Sequence, residues 1–188
     1  MKRVVLGVLL CCFVCRPAVA QSGQEGAASK DPLSAWLRRD FQHSRNFIAK
    51  AAEIMPEGSY GMRPGLQPEV RTFGQIVGHL ANFNYLLCSD AKAEKNPAAD
   101  QDFEKLTSKA ELIKAVNAAF SYCDGVYASI TDSMLMNSIM ATADDGKKVP
   151  ALRISRLIIN TSHNQEHYGN IVTYMRIKGM VPPSSMAQ

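Results

Sequence analysis

Apolar side chains recur at helical spacing in four separate stretches of the chain, each bounded by Pro, Gly or a polar run. In the first, Leu33, Trp36, Leu37, Phe41, Phe47, Ile48, Ala51 and Met55 follow Asp31 at an N-cap position and Pro32 at the first helical position. This predicts a helix over Pro32–Met55, stopped by Pro56. Glu57 to Val70 holds three Gly and two Pro and reads as a structured loop. Thr72 and Gln75 then form a capping box ahead of Phe73, Ile76, Val77, Leu80, Phe83 and Leu87, a second helix ending near Ala91. A polar connection from Lys92 to Thr107 leads to a second box, Ser108 with Glu111, and a third helix built on Leu112, Val116, Ala119, Phe120, Cys123, Val126, Tyr127 and Ile130. Asp132 to Val149 contains the turn signal Asp145-Gly146, which closes either a small hairpin or a plain loop. Pro150 is expected to open the last and longest helix, with Leu152, Ile154, Leu157, Ile158, Ile171, Val172 and Tyr174 as apolar positions and Gly179 as its stop. The expected fold is all-α, a four-helix bundle of up-down-up-down type with long loops between successive helices.

The composition suits one ordinary domain: 188 residues, 46% apolar and 20% charged. Residues 1–20 read as a secretory signal peptide, with Lys2 and Arg3, an apolar run from Val4 to Val14, and the small-residue ending Ala18-Val19-Ala20. That run would rise only about 16 Å as a helix, so it predicts no stable membrane anchor after cleavage. Residues 21–30 form a flexible linker, and 31–188 the domain. Of the 21 basic and 17 acidic side chains, Lys2, Arg3 and Arg16 belong to the leader, which holds no acid. The remainder is close to neutral and offers no electrostatic reason to bind nucleic acid or anionic lipid. Localisation is expected to be periplasmic or extracellular.

Once the leader is removed, Cys88 and Cys123 are the cysteines that remain. An even count in an oxidising compartment suggests a disulfide; the other reading is two buried free thiols on helix faces. The histidines carry the candidate chemistry. His163 and His167 stand one turn apart on one helix face, near enough to share one ion. The Glu that zinc proteases place directly after the first His is absent, so that motif does not apply. His79 lies within an otherwise apolar face, where an imidazole needs a partner: a metal, a backbone carbonyl or a Tyr. Three imidazoles from two helices would make an open His₃ site. His43 reads as a bundle or surface histidine.

Three blocks together resemble the DinB-like superfamily of metal-binding four-helix bundles. They are Met55-Pro56-Glu57-Gly58-Ser59-Tyr60 with Pro64; Arg71-Thr72-Phe73-Gly74-Gln75-Ile76-Val77-Gly78-His79; and His163-x-x-Glu166-His167-Tyr168-Gly169-Asn170 through Tyr174-Met175-Arg176 to Gly179 and Pro182-Pro183. The resemblance covers nearly all of the chain after the leader. It implies that His79, His163 and His167 coordinate one divalent metal, zinc or nickel. Members of that family include low-molecular-weight thiol transferases, thiol-dependent isomerases and hydrolases, so the resemblance implies a metal-dependent hydrolase or transferase of undefined small-molecule substrate.

Two functional classes follow. In an enzyme, the three histidines hold the metal while a substrate takes an open position. Glu166 points roughly 100° away from His167 and is no automatic base; Tyr168 and Asn170 either border the pocket or simply pack and cap, Tyr60 and Arg63 read as structural rather than as substrate contacts, and none has a catalytic assignment. In a non-enzymatic metal-binding or stress-related envelope protein, a fourth ligand such as His43 or a carboxylate would close the shell. A metal-free bundle is the third reading. The apolar helix faces would also support a homodimer.

Overall fold

The computed structural model describes residues 29–186; the expected leader and most of the linker lie outside them. The helices are α1 (Pro32–Ile54), α2 (Phe73–Lys92), α3 (Lys109–Ser129), the one-turn α4 (Asp132–Leu135) and α5 (Arg153–Ile177). Strands β1 (Ser138–Thr142) and β2 (Lys148–Leu152) form an antiparallel hairpin between α4 and α5. Among the described residues no helix is long and apolar enough to cross a membrane.

The four long helices form the expected all-α bundle, but they do not alternate in direction. Asp40 and Phe47 of α1 meet Gln165 and Tyr168 of α5 in the same order along the chain, so these helices run parallel. α2 and α3 are also parallel, with Gly74 against Leu112, Tyr85 against Tyr122, and Cys88 joined to Cys123. α3 opposes α1: Lys109 in its first turn donates to the carbonyls of Glu53 and Met55 at the end of α1, while Arg45 pairs with Asp124 at 2.6 Å farther along. α5 opposes α2, placing Tyr174 by Phe73 and Asn160 by Asn84. The arrangement is therefore up-down-down-up, not up-down-up-down. The physical reason is the connection 93–108. Extended, it can reach roughly 50 Å, whereas α2 is roughly 30 Å long, so the chain returns along the bundle before α3 begins.

The core follows the apolar stripes. Phe41 stacks on Tyr127 with ring centres 4.6 Å apart, and Leu37, Ile48, Leu80, Phe120, Leu157 and Ile171 belong to the same core, none more than 1% exposed. Cys88 and Cys123 form the disulfide, their Cα atoms 5.4 Å apart, which fastens α2 to α3.

Local chemistry alters two expected caps and one expected boundary. The Thr72–Gln75 box forms in full. At Ser108 only half a box forms: the hydroxyl accepts from Glu111 N–H, with no return bond from the Glu111 side chain. Asp31 does not cap its own helix. Its carboxylate accepts the Asp132 N–H at 2.8 Å, while Asp132 accepts from the N–H groups of Leu33 and Ser34 and from the Ser34 hydroxyl. The cap of α1 is thus supplied from the connection after α3. Pro150 does not open α5; it pairs with Met140 inside β2, an edge strand that tolerates its missing N–H. α5 starts at Arg153, whose N–H donates to the Asn137 carbonyl at the base of the hairpin.

The Asp145-Gly146 signal does close a hairpin, with Gly146 at φ 80°. Buried Asp90 of α2 holds this hairpin against the bundle. It accepts from the Thr142 N–H and hydroxyl and from Lys148 Nζ, all within 3.0 Å.

The disulfide closes a span of 35 residues, so a Cys88→Ala/Cys123→Ala double variant is expected to lose about 3 to 4 kcal/mol. Urea unfolding followed by circular dichroism checks this, with the native helical signal expected to persist in the absence of urea.

Candidate metal centre

His79 is placed by the cap that starts α2, two turns upstream of it, and by its apolar neighbours Ile76, Val77 and Leu80, all buried. His163 and His167 come from the middle of α5, one turn apart as their spacing requires. The three side chains converge: His163 Nε2 lies 3.1 Å from His79 Nε2 and 3.1 Å from His167 Nε2. Among the described residues these three histidines form a group that could hold a metal ion. His79 is 5% exposed and His167 9%, with His163 half-buried.

The outer face of each ring is different. His79 Nδ1 donates to Glu104 Oε1 at 2.7 Å. Glu104 is in turn held by Arg71, whose Nε donates to the other carboxylate oxygen at 2.8 Å. Burial works to raise the Glu104 pKa, but the hydrogen bonds from Arg71 and His79 outweigh it and hold the carboxylate below its ordinary value. An ionised carboxylate accepts only, so the His79 proton resides on Nδ1 and its Nε2 lone pair faces inward. The Asn170 side-chain amide lies 3.2 Å from His167 Nδ1. His163 Nδ1 is buried without a hydrogen-bond partner, and the Phe83 ring stacks on this imidazole at 4.5 Å.

This donor set suits a cation. A hydrogen on His163 Nε2 satisfies one neighbouring nitrogen and leaves the other contact unmatched; with no hydrogen there, lone pair faces lone pair across the His79 contact. An ion accepting all three lone pairs removes the conflict; it requires the His167 hydrogen on Nδ1, with the Asn170 amide turned so that its oxygen accepts. The spacing also fits, since Zn–N bonds of about 2.05 Å in tetrahedral geometry put ligand nitrogens about 3.3 Å apart. Burial lowers the pKa of all three imidazoles, for His163 to about 3, with His167, His79 and Arg71 adding repulsion there. The rings are consequently neutral near pH 7, the state a metal ligand requires.

Below the centre lies a polar network within the bundle. Asn84 of α2 donates to Asn164 Oδ1 and to the Leu80 carbonyl, and its own oxygen accepts from Asn160 and Asn164. Tyr127 extends the network by donating to Asn160 Oδ1. All three asparagines are 1% exposed or less.

Most of the other residues singled out from the sequence lie apart from the centre. His43 packs edge-on against Phe47, which stacks on Tyr168, and does not join the histidine cluster. Tyr168 donates to the Ser184 hydroxyl and fastens the C-terminal segment. The Tyr60 hydroxyl donates to the Ala52 carbonyl, and Arg63 to the Val70 carbonyl, so both hold the α1–α2 connection. Glu166 is exposed. Asn170 does reach the site, at the rear of His167, where a cleft of about 280 Å³ runs between Arg71, Thr173 and Tyr174. Glu104, Arg71 and the three asparagines were not picked out by the sequence patterns. The available signal was the Asn160/Asn164 pair, spaced like the two histidines on the same helix.

A family model of the DinB superfamily matches residues 40–171, a span that includes all three histidines. The chain belongs to the DinB superfamily. Among solved structures, this DinB-superfamily chain is similar to a DinB-like protein from Bacillus cereus ATCC 10987 (TM-score 0.63, 15% identity), covering 78% of this chain and 93% of that one. It is also similar to a conserved protein from Enterococcus faecalis, with TM-score 0.62, 14% identity and coverage of 78% and 98% respectively. A mycothiol-dependent maleylpyruvate isomerase shares the fold at TM-score 0.54 and 12% identity, over 81% of this chain and 78% of that one. No curated protein matches.

Three outcomes follow for the protein and its His163 variant, the first two in metal-free form. The unfolded chain binds protons on its histidines near pH 6.5, whereas the native rings take them up only at lower pH, near 3 for His163. Stability is therefore expected to fall as pH drops from about 6.5 toward 3. Urea midpoints across this range should show a shallower slope for His163→Ala. The same variant is expected to lose stoichiometric metal retention while keeping its far-ultraviolet helical signal.

Proposed function

We propose that this DinB-superfamily chain is an exported protein that binds one divalent metal, zinc or nickel, through His79, His163 and His167. In this reading it acts as a metal-dependent hydrolase or transferase on a small molecule. The convergence of three inward Nε2 atoms carries the proposal, because three protein ligands leave coordination positions for a substrate. When bound, such an ion supplies Lewis acidity toward a substrate oxygen or water. The chain's own residues hold the ligands and shape the surroundings. Glu104 keeps the His79 proton on the outer nitrogen, Asn170 backs His167, and Phe83 covers His163 and flanks His79. The disulfide supports the export reading, since such bonds persist in oxidising compartments. The resemblance to a mycothiol-dependent isomerase supports including thiol-linked reactions in a substrate screen.

One observation favours a second reading, a non-enzymatic metal-binding protein of the envelope. Glu104, the carboxylate bonded to the cluster, is engaged by both Arg71 and His79 and is not free to serve as a general base.

The test is to express the chain from Gln21 without chelator or affinity histidines and to quantify bound metals by mass spectrometry. One equivalent is expected, and is expected to be lost in the His79→Ala/His163→Ala/His167→Ala variant. No metal in the wild-type protein, even after reconstitution with zinc or nickel, would overturn the proposal. Hydrolase and thiol-transfer screens with the retained metal then separate the enzymatic from the binding reading.

A further inference from the structure

The connection that returns along the bundle is fastened more tightly than a link between two helices requires. A short 3₁₀ turn, Phe103–Lys105, sits directly on the backbone of α2. The contact is at Gly78: a Cβ there would lie 2.3 Å from the Phe103 carbonyl oxygen and 2.8 Å from the Glu104 nitrogen. One turn farther along α2, the Asn82 oxygen accepts the Phe103 N–H at 3.0 Å, and the Asn82 amide donates to Asp102 Oδ1 at 3.0 Å. Asp102 Oδ1 also accepts the Glu104 N–H at 3.1 Å. Gly78 and Asn82, one turn apart on the same face of α2, thus seat the strap next to His79. The result is to deliver one carboxylate oxygen to His79 Nδ1, while Arg71 holds the other.

We propose that the strap 102–106 is a working part of the histidine centre, with Glu104 a positioning residue that fixes His79 in its Nδ1–H tautomer. Gly78 and Asn82 are the seat on which that depends. The proposal rests on the metal reading of the three histidines and extends it to residues outside the ligand set. Its chemistry is specific to His79. A neutral imidazole exchanges its hydrogen between two nitrogens, and a single ionised acceptor on one side removes that freedom. The inner lone pair is then present before any ion arrives, and the negative charge makes it a stronger donor. His167 faces a neutral amide, and His163 Nδ1 has no partner, so the support given to the three rings is graded.

The experiment uses the chain from Gln21 in metal-free form, with ¹⁵N-labelled histidine, together with zinc affinity measured by chelator competition. In the wild type, His79 is expected to show only the Nδ1–H signature. Glu104→Leu keeps an apolar stem but no acceptor; it is expected to give mixed tautomers and to weaken zinc binding about 10- to 100-fold. Glu104→Gln, whose amide oxygen still accepts, should retain the Nδ1–H signature and lose less affinity. Gly78→Ala leaves Glu104 intact but lifts the strap, and should reproduce the tautomer mixture. Wild-type tautomer and zinc affinity in Glu104→Leu would overturn the proposal. Should that variant fail to show native helicity, Gly78→Ala decides by the same criterion. Because the tautomer is read without metal, failure of the wild type to bind zinc would sink the metal reading and leave the His79–Glu104 result standing by itself.

Discussion

A primary amide buried away from water has two donor hydrogens and an acceptor oxygen to satisfy, and leaving one unmade costs about 1 to 3 kcal/mol. Asn84 meets this condition at one register of α2 against α5, where Asn160 and Asn164 both reach it. Sliding α5 by a turn would break those bonds and bury the orphaned groups. That same register brings His79 level with His163 and His167. The apolar core drives the helices together through a force that has no direction of its own. The directional bonds among the asparagines supply the alignment on which the histidine geometry depends.

The up-down-down-up order has a functional side. Had the chain turned directly from α2 into an antiparallel helix, no separate connection would have run back past His79. The long return path does so, and it places Glu104 and Asp102 beside α2. Topology thus contributes a charged partner to a site whose ligands lie on two helices.

Much of the fold is legible in the sequence. Apolar periodicity located all four long helices, and the Thr72–Gln75 box marked the start of α2. The three histidines could be grouped because two share a helix face and the third interrupts an apolar one. What escaped is non-local. Pro150 carries two local meanings, helix start or edge strand, and the pairing with Met140 decides between them. Asp31 has the sequence signature of a cap, yet Asp132 reaches the same N–H groups. Glu104 sits in a polar stretch with no periodicity, and its role depends on the direction in which that stretch travels. Each asparagine in isolation reads as an ordinary polar helix position.

The exchange of caps between Asp31 and Asp132 bears on the order in which the molecule closes. A ribosome delivers the N-terminal residues first, but the groups that terminate α1 wait for a carboxylate encoded 98 residues after Ser34. Until then the leading turn of α1 lacks the carboxylate that caps it in the finished fold. The first of the described helices to be synthesised is therefore sealed only once the chain has passed α3, an event registered back at the beginning of the domain.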